Sequence, residues 1–240
     1  MNIGLLLYPR ITQLDLTAPF EVFSRAPAAK VHLVAKYIDP VESDRGLQLV
    51  PTVTFTDCPP LDIICVPGGP GQVDVIEDDE TLNFLRNQAK HARWITSVCS
   101  GSLLLGAAGL LRGYQATSHW ASRDQLSLFG AEAVDTRVVI DRNRITGAGV
   151  TAGLDLALQV VATAFDERTA QAIQLALEYE PSPPFWSGTP QHAPADLLEA
   201  ARQKMAVFME KRLAASKRAA DRLKEAAPAT EPPPDDQGLD

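Results

Sequence analysis

Short, nearly unbroken apolar runs recur through the first part of the chain: Ile3 to Tyr8, Val31 to Tyr37, Asp62 to Val66 and Trp94 to Val98. Each is too short for a buried helix and none alternates apolar with polar residues, which is the pattern of strands covered on both faces of a parallel sheet. The spacers between them carry helical periodicity or turn residues. Helices are expected from Leu14 to Phe23, Asp79 to His91, Ser100 to Ala108, Ser122 to Leu128, Ala152 to Ala164 and Glu167 to Leu177. Further strands are expected at Val50 to Phe55, Val138 to Asp141 and Arg144 to Thr146, the last two joined as a hairpin at Arg142 and Asn143. Alternating strands and helices predict an α/β fold with a mostly parallel central sheet and helices on both faces.

The pattern changes after residue 180. Pro181 to Pro190 holds four prolines and cannot continue a helix, so it is expected to cross the surface in an extended or turning path. Ala195 to Leu223 is Ala-rich and charged, with Leu197, Leu198, Ala201, Met205, Phe208 and Leu213 at roughly helical spacing, and predicts a long, partly packed helix. The expected organisation is an α/β domain over 1–190, a C-terminal helix over 191–226 and an acidic, proline-rich tail over 227–240 too polar to fold.

Composition narrows the function classes. With 22 Lys and Arg against 30 Asp and Glu the net charge is −8, which argues against a nucleic-acid surface. Cys58, Cys65 and Cys99 are odd in number and widely spaced, so a disulfide framework is not expected and a reducing cytoplasm fits. No apolar stretch approaches the roughly 20 residues of a membrane span, and the first run reads as a buried strand rather than a signal segment. No pair of histidines or carboxylates has metal-ligand spacing, so neither a metal nor another cofactor is expected.

Chemistry concentrates at Cys99. In Trp94-Ile-Thr-Ser-Val-Cys99-Ser100-Gly101-Ser102 a β-branched strand stops at the cysteine and a small-residue helical pattern begins at once, which is the outline of a nucleophile elbow. Backbone N–H groups and the helix dipole at such a turn favour the thiolate. An isolated cysteine would read as an ordinary buried thiol; this context argues otherwise. Asp15, between Leu14 and Leu16, reads either as a helix cap or as a proton carrier. Gly68 and Gly69 follow a buried strand and can bring backbone close to a ligand, while Pro70 has no N–H, so anion donors are sought at Gly69 and Ser100. His119, in Thr-Ser-His-Trp120, is the one histidine in a site-like context, either as a supporting group or as a structural one. Cys65 reads as core and Cys58 as a loop residue.

Together, the turn at Gly68 and Gly69, the Cys99 elbow, the Leu14-Asp15-Leu16 helix and the His119 turn resemble the DJ-1/PfpI superfamily, and within it the isonitrile (isocyanide) hydratase branch. The resemblance runs from Met1 to about Arg222 and includes Leu177-Glu-Tyr-Glu-Pro-Ser-Pro-Pro-Phe185. It implies a flavodoxin-like α/β sandwich, a homodimer, Cys99 as nucleophile, Asp15 as acid/base and a backbone pocket at Gly68, Gly69 and Ser100, with His119 and Gly101 behind them. The implied reaction adds water to R–N≡C through a Cys99 thioimidate and releases an N-substituted formamide. Its rivals are amide hydrolysis or α-oxoaldehyde processing by the same cysteine, and a non-enzymatic ligand or redox sensor. Protease- and chaperone-like members carry Glu where Asp15 stands. Ala18, Ser100 and Ala148 also depart from the usual residues, and Ala148 is expected to stiffen the turn behind the sulfur.

Overall fold

The computed structural model describes residues 1–225; the stretch expected to form the acidic tail lies outside them. In chain order the elements are β1 (Asn2–Leu6), α1 (Gln13–Phe23), β2 (Lys30–Ala35), β3 (Val41–Glu42), β4 (Gln48–Leu49), β5 (Val53–Thr54), β6 (Ile63–Val66), α2 (Gln72–Val75), α3 (Asp79–Ala89), β7 (Trp94–Val98), α4 (Gly101–Ala107), β8 (Gln115–Ala116), a 3-10 segment (Arg123–Phe129), β9 (Glu132–Ala133), β10 (Val138–Asp141), β11 (Arg144–Gly147), α5 (Ala152–Ala164), α6 (Glu167–Ala176) and α7 (Ala195–Glu225).

Seven strands form one sheet in the order β10-β11-β7-β6-β1-β2-β5, parallel throughout except for the β10–β11 hairpin. The apolar runs explain the arrangement: Ile3, Leu5, Ile63, Ile64, Cys65, Val66 and Ile95 are buried on strands with helices above and below. Helices α1, α5 and α6 pack together on one face, with α5 lying on β7 and β11, while α4 lies on β6 and β7 on the other and carries α2, α3 and α7 outside it. This is the mostly parallel α/β sandwich the sequence predicts.

Three expectations shift. Val50 to Phe55 contributes only Val53–Thr54, because Val50 is exposed and Pro51 has no N–H for a ladder. Ser122 to Leu128 is a 3-10 segment over Arg123–Phe129, not an α-helix, and Gly130 ends it in a left-handed conformation (φ 74°). On α7 the buried positions are Arg212, Ala215, Ser216, Ala219 and Ala220, whereas Leu197 and Leu213 are exposed. Small residues thus let the C-terminal half of α7 lie close on α4, while Phe208 and Leu198 of the expected stripe are half-buried, as a partly packed helix requires.

Sheet topology fixes where a site can form. The chain leaves β1 for β2 on one side and returns to β6 on the other, so the order reverses at β1 and opens a crevice beyond the strand C-termini. Tyr8 and Asp15 follow β1, Gly68 and Gly69 follow β6, and Cys99 follows β7.

Candidate active site

Cys99 is the first residue after β7 and has φ 57°, a left-handed conformation that a side-chain-bearing residue adopts only under restraint. The restraint is visible in its hydrogen bonds. Its N–H donates to Gly147 O (3.0 Å) and Ala148 O (2.7 Å), and its carbonyl accepts from Ser118 Oγ (2.9 Å) and Ser102 Oγ (3.2 Å). Gly101 lets α4 begin at once: a Cβ there would lie 1.9 Å from Val66 O. The turn therefore carries the sulfur at the C-terminal end of the sheet while the residue stays buried.

Asp15 is not a cap. α1 starts at Gln13 after its N-cap residue Thr12, and Asp15 lies inside it, fully buried, with its N–H donating to Thr12 O (3.0 Å). Gly68 N–H donates to Asp15 Oδ2 (3.0 Å), whereas the buried Oδ1 has no hydrogen-bond partner among the described residues. Burial pushes the Asp15 carboxyl up to about 7, opposed first by the Cys99 thiol and then by the Gly68 N–H. Burial also pushes the Cys99 thiol well up, reinforced by the Asp15 charge and opposed by the Ser100 N–H and Arg212. Two acids so placed disfavour a second charge and share one proton around and above neutral pH.

The glycine turn is built for close approach. A Cβ on Gly68 would lie 2.5 Å from Ser100 N and 2.9 Å from Asp15 Oδ2, and Gly69 holds φ 138° with Thr12 N only 2.4 Å from where its Cβ would be. Of the two amides sought as anion donors, Gly69 N–H already donates to Ser100 Oγ (3.1 Å), while Ser100 N–H is directed at the Cys99 sulfur. The Ser100 hydroxyl thus fastens the glycine turn to the elbow.

His119 lies beside this centre rather than in it. Its Nδ1 accepts from Ala121 N–H (3.3 Å), and burial, with Arg212 second, pushes it down to about 4, so the ring is neutral near pH 7. Together with Trp120, Val150, Thr189 and His192 it lines a cavity of about 570 Å³. Cys99 itself is not on that lining, but Ser118 and Ala148, which hold its backbone, are. Ala148 needs no glycine geometry, since its φ is not positive.

Two residues of the centre escape a reading of the sequence. Tyr8 is buried, donates to Pro67 O (2.8 Å), and is pushed well up by burial and then by the Asp15 and Cys99 charges. Arg212 reaches in from α7, donating to Gly69 O (3.1 Å) and Ser122 Oγ (2.9 Å). A sequence signal for it exists: Arg212 falls on the Met205, Phe208, Ala215, Ala219 stripe, where a charge demands a partner.

Comparison with known proteins agrees with this architecture. Residues 1–163 match the model of the DJ-1/PfpI family. The chain is 52% identical over 223 residues to an isonitrile hydratase from Pseudomonas putida, an alignment spanning 93% of this chain and 98% of that protein. The crystal structure of a THiJ/PfpI family protein from Pseudomonas syringae superimposes with a TM-score of 0.87 at 50% identity, covering 90% of each chain. Drosophila melanogaster DJ-1beta shares the fold alone, with a TM-score of 0.68 at 22% identity over 75% of this chain and 98% of that one. With the family model matching well over half its length, the chain belongs to the DJ-1/PfpI family.

Proposed function

We propose that this protein is an isonitrile hydratase, converting R–N≡C and water to an N-substituted formamide with Cys99 as nucleophile and Asp15 as acid/base. The observation that carries this reading is the 52% identity to the Pseudomonas putida isonitrile hydratase across 98% of that protein. The geometry supports it: a thiol and a carboxyl raised to about 7 form a pair able to exchange a proton at neutral pH.

The protons balance as follows. The pair enters the reaction holding one proton. Sγ bonds to the terminal isocyanide carbon while that proton is delivered to the same carbon through Asp15, giving the thioimidate R–N=CH–S and leaving Asp15 ionised. Water then adds to the carbon as Asp15 accepts one of its protons and passes it to nitrogen. The C–S bond of the tetrahedral adduct breaks, the formamide C=O forms, and the remaining hydroxyl proton returns to the pair. The net change is one water added. Ser100 N–H, directed at the sulfur, stabilises it as the leaving thiolate.

The neighbouring cavity, with Trp120 and Val150 on its wall, offers room for R. A homodimer is part of the same reading, supported by the exposed Leu175, Phe185 and Trp186, which a second copy would cover. Three free cysteines support a reducing cytoplasm, and among the described residues no helix is long and apolar enough to cross a membrane. The test is formamide release from a simple aryl isocyanide: turnover by the wild type that disappears in Cys99→Ala supports the reading, and an inactive wild type overturns it.

A further inference from the structure

The family model ends at residue 163, yet the centre around Cys99 is completed from α7, far beyond that point. Arg212 is buried, stacks over the Phe208 ring at 4.7 Å, and spends its two terminal nitrogens on Gly69 O and Ser122 Oγ. Its Nε is buried and has no hydrogen-bond partner among the described residues. A buried guanidinium held by two neutral oxygens is expensive unless a negative charge lies nearby, and an arginine stays protonated at any pH the protein meets. Among the described residues no carboxylate is hydrogen-bonded to it: the acids facing it are Cys99, Tyr8 and Asp15, and neutral His119 also lies near it.

We propose that Arg212 is a positioning residue for the Cys99 chemistry, the cation that balances the single negative charge of the Cys99–Asp15 pair while clamping the Gly69 carbonyl against the elbow. The clamp and the charge act at one place. Gly69 O is held by Arg212, Gly69 N–H is held by Ser100 Oγ, and Ser100 N–H is directed at Sγ, so the side chain that fixes the turn also stands where thiolate forms. The groups that face Cys99 are Asp15 from α1, Tyr8 from the end of β1, and Arg212 from α7. Asp44 adds a more distant negative charge felt at Asp15. Among these, Arg212 alone favours the charged form of the pair through its own charge. The fold thereby makes the sulfur's ionisation depend on a helix outside the family domain.

This inference rests on Cys99 being the reactive sulfur, and its test needs no isocyanide. The rate of Cys99 alkylation by iodoacetamide is measured from pH 5 to 10 in Cys58→Ser, Cys65→Ala protein, with thermal melting as the folding control. Arg212→Met is expected to raise the alkylation midpoint by about one pH unit, equivalent to about tenfold less thiolate at neutral pH, and Arg212→Lys to stay near the parent. Arg212→Gln, which keeps a donor for Gly69 O but no charge, carries the same expectation as Arg212→Met and replaces it if that variant does not fold. An unchanged midpoint in the neutral variants, or a shift in Arg212→Lys as large as theirs, overturns the proposal. An alkylation result of either kind stands whether or not isocyanides are turned over.

Discussion

Cys65 lies on β6 and Cys99 just past the end of the neighbouring parallel strand β7, both buried, and the difference between them shows what a strand end adds. Cys65 is mid-strand on β6, paired with Leu5 and Thr96, its thiol pushed up to about 12 by burial and eased only by the Thr96 hydroxyl. Cys99 meets the same penalty one residue past β7, but there the chain has turned: a backbone N–H, a carboxyl and a guanidinium converge on the sulfur. Burial by itself makes an inert thiol. A reactive thiol can be built where the ladder stops and backbone donors are released. Cys99→Ala should therefore lower formamide formation by on the order of 10⁴-fold or more, while Cys65→Ala leaves kcat within about twofold and lowers stability by about 1–2 kcal/mol, read as a drop in Tm of a few degrees. Comparable losses of turnover in the two variants would erase the contrast.

Asp15 sharpens the comparison because its charge burdens both sulfurs. Asp15→Asn keeps the shape and an acceptor for Gly68 N–H but removes proton transfer, so kcat/KM should fall by about 10²–10⁴-fold. In the wild type kcat/KM should rise with pH through about 7, as the pair loses its first proton, and this limb should vanish in the variant. Stability should move the other way. A carboxyl raised from 3.8 to about 7 on folding leaves the native state binding more protons than the unfolded chain between those values. Asp15 accordingly costs increasing stability as pH rises from 4 to 7, with the full penalty, up to about 4 kcal/mol, present above 7, while His119, pushed down to about 4, gives an opposite gain between 4 and 6.5, so the Asp15 effect is read as the difference between wild type and Asp15→Asn. Asp15→Asn should thus melt higher than wild type at pH 8 and equally at pH 4. A variant that is less stable at pH 8 would mean that the buried carboxylate is compensated in full.

Strand-end geometry also predicts where packing fails. At Gly101 an added methyl meets Val66 O at 1.9 Å, a backbone atom that cannot step aside, whereas at Gly149 it meets only His119 Cδ2 at 3.6 Å. Gly101→Ala should lower stability by about 1–3 kcal/mol and slow Cys99 alkylation, while Gly149→Ala should change neither beyond the spread of replicate melts.

Much of this was legible in the chain because it is local. Continuous apolar runs name the central strands, and the Val98-Cys99-Ser100-Gly101 turn announces itself by the abrupt change from β-branched to small residues. The convergence of β1, β6 and β7 ends follows once those strands are parallel neighbours. Long-range closure was not legible. Arg212 joins Gly69 across 143 positions, and Ser122 across 90, separations at which no periodic pattern carries information. An apolar stripe on α7 would place Leu213 inward; the helix instead packs through Ala215, Ser216 and Ala219, and the charged neighbour of Leu213, Arg212, is the buried one. Asp15 is ambiguous in the sequence for the opposite reason, since an acid near a helix start is usually a cap, and only its place inside α1 and its full burial exclude that reading.

The smallest effect concerns Ser100, whose hydroxyl joins the two turns. Its Oγ accepts from Gly69 N–H (3.1 Å) in a buried setting, so Ser100→Ala strands that donor and should lower stability by about 1–3 kcal/mol, with Ser100→Thr restoring it. Its effect on reactivity should be slighter than on stability. The Ser100 N–H directed at Sγ belongs to the backbone and survives the substitution, whereas the Arg212 grip on Gly69 O still anchors the glycine turn. Alkylation of Cys99 in Ser100→Ala should fall less than about threefold at pH 7. A fall as large as tenfold would show that the hydroxyl, more than the guanidinium, holds the turn against the elbow, and would move the difference between Cys99 and Cys65 from charge to tethering.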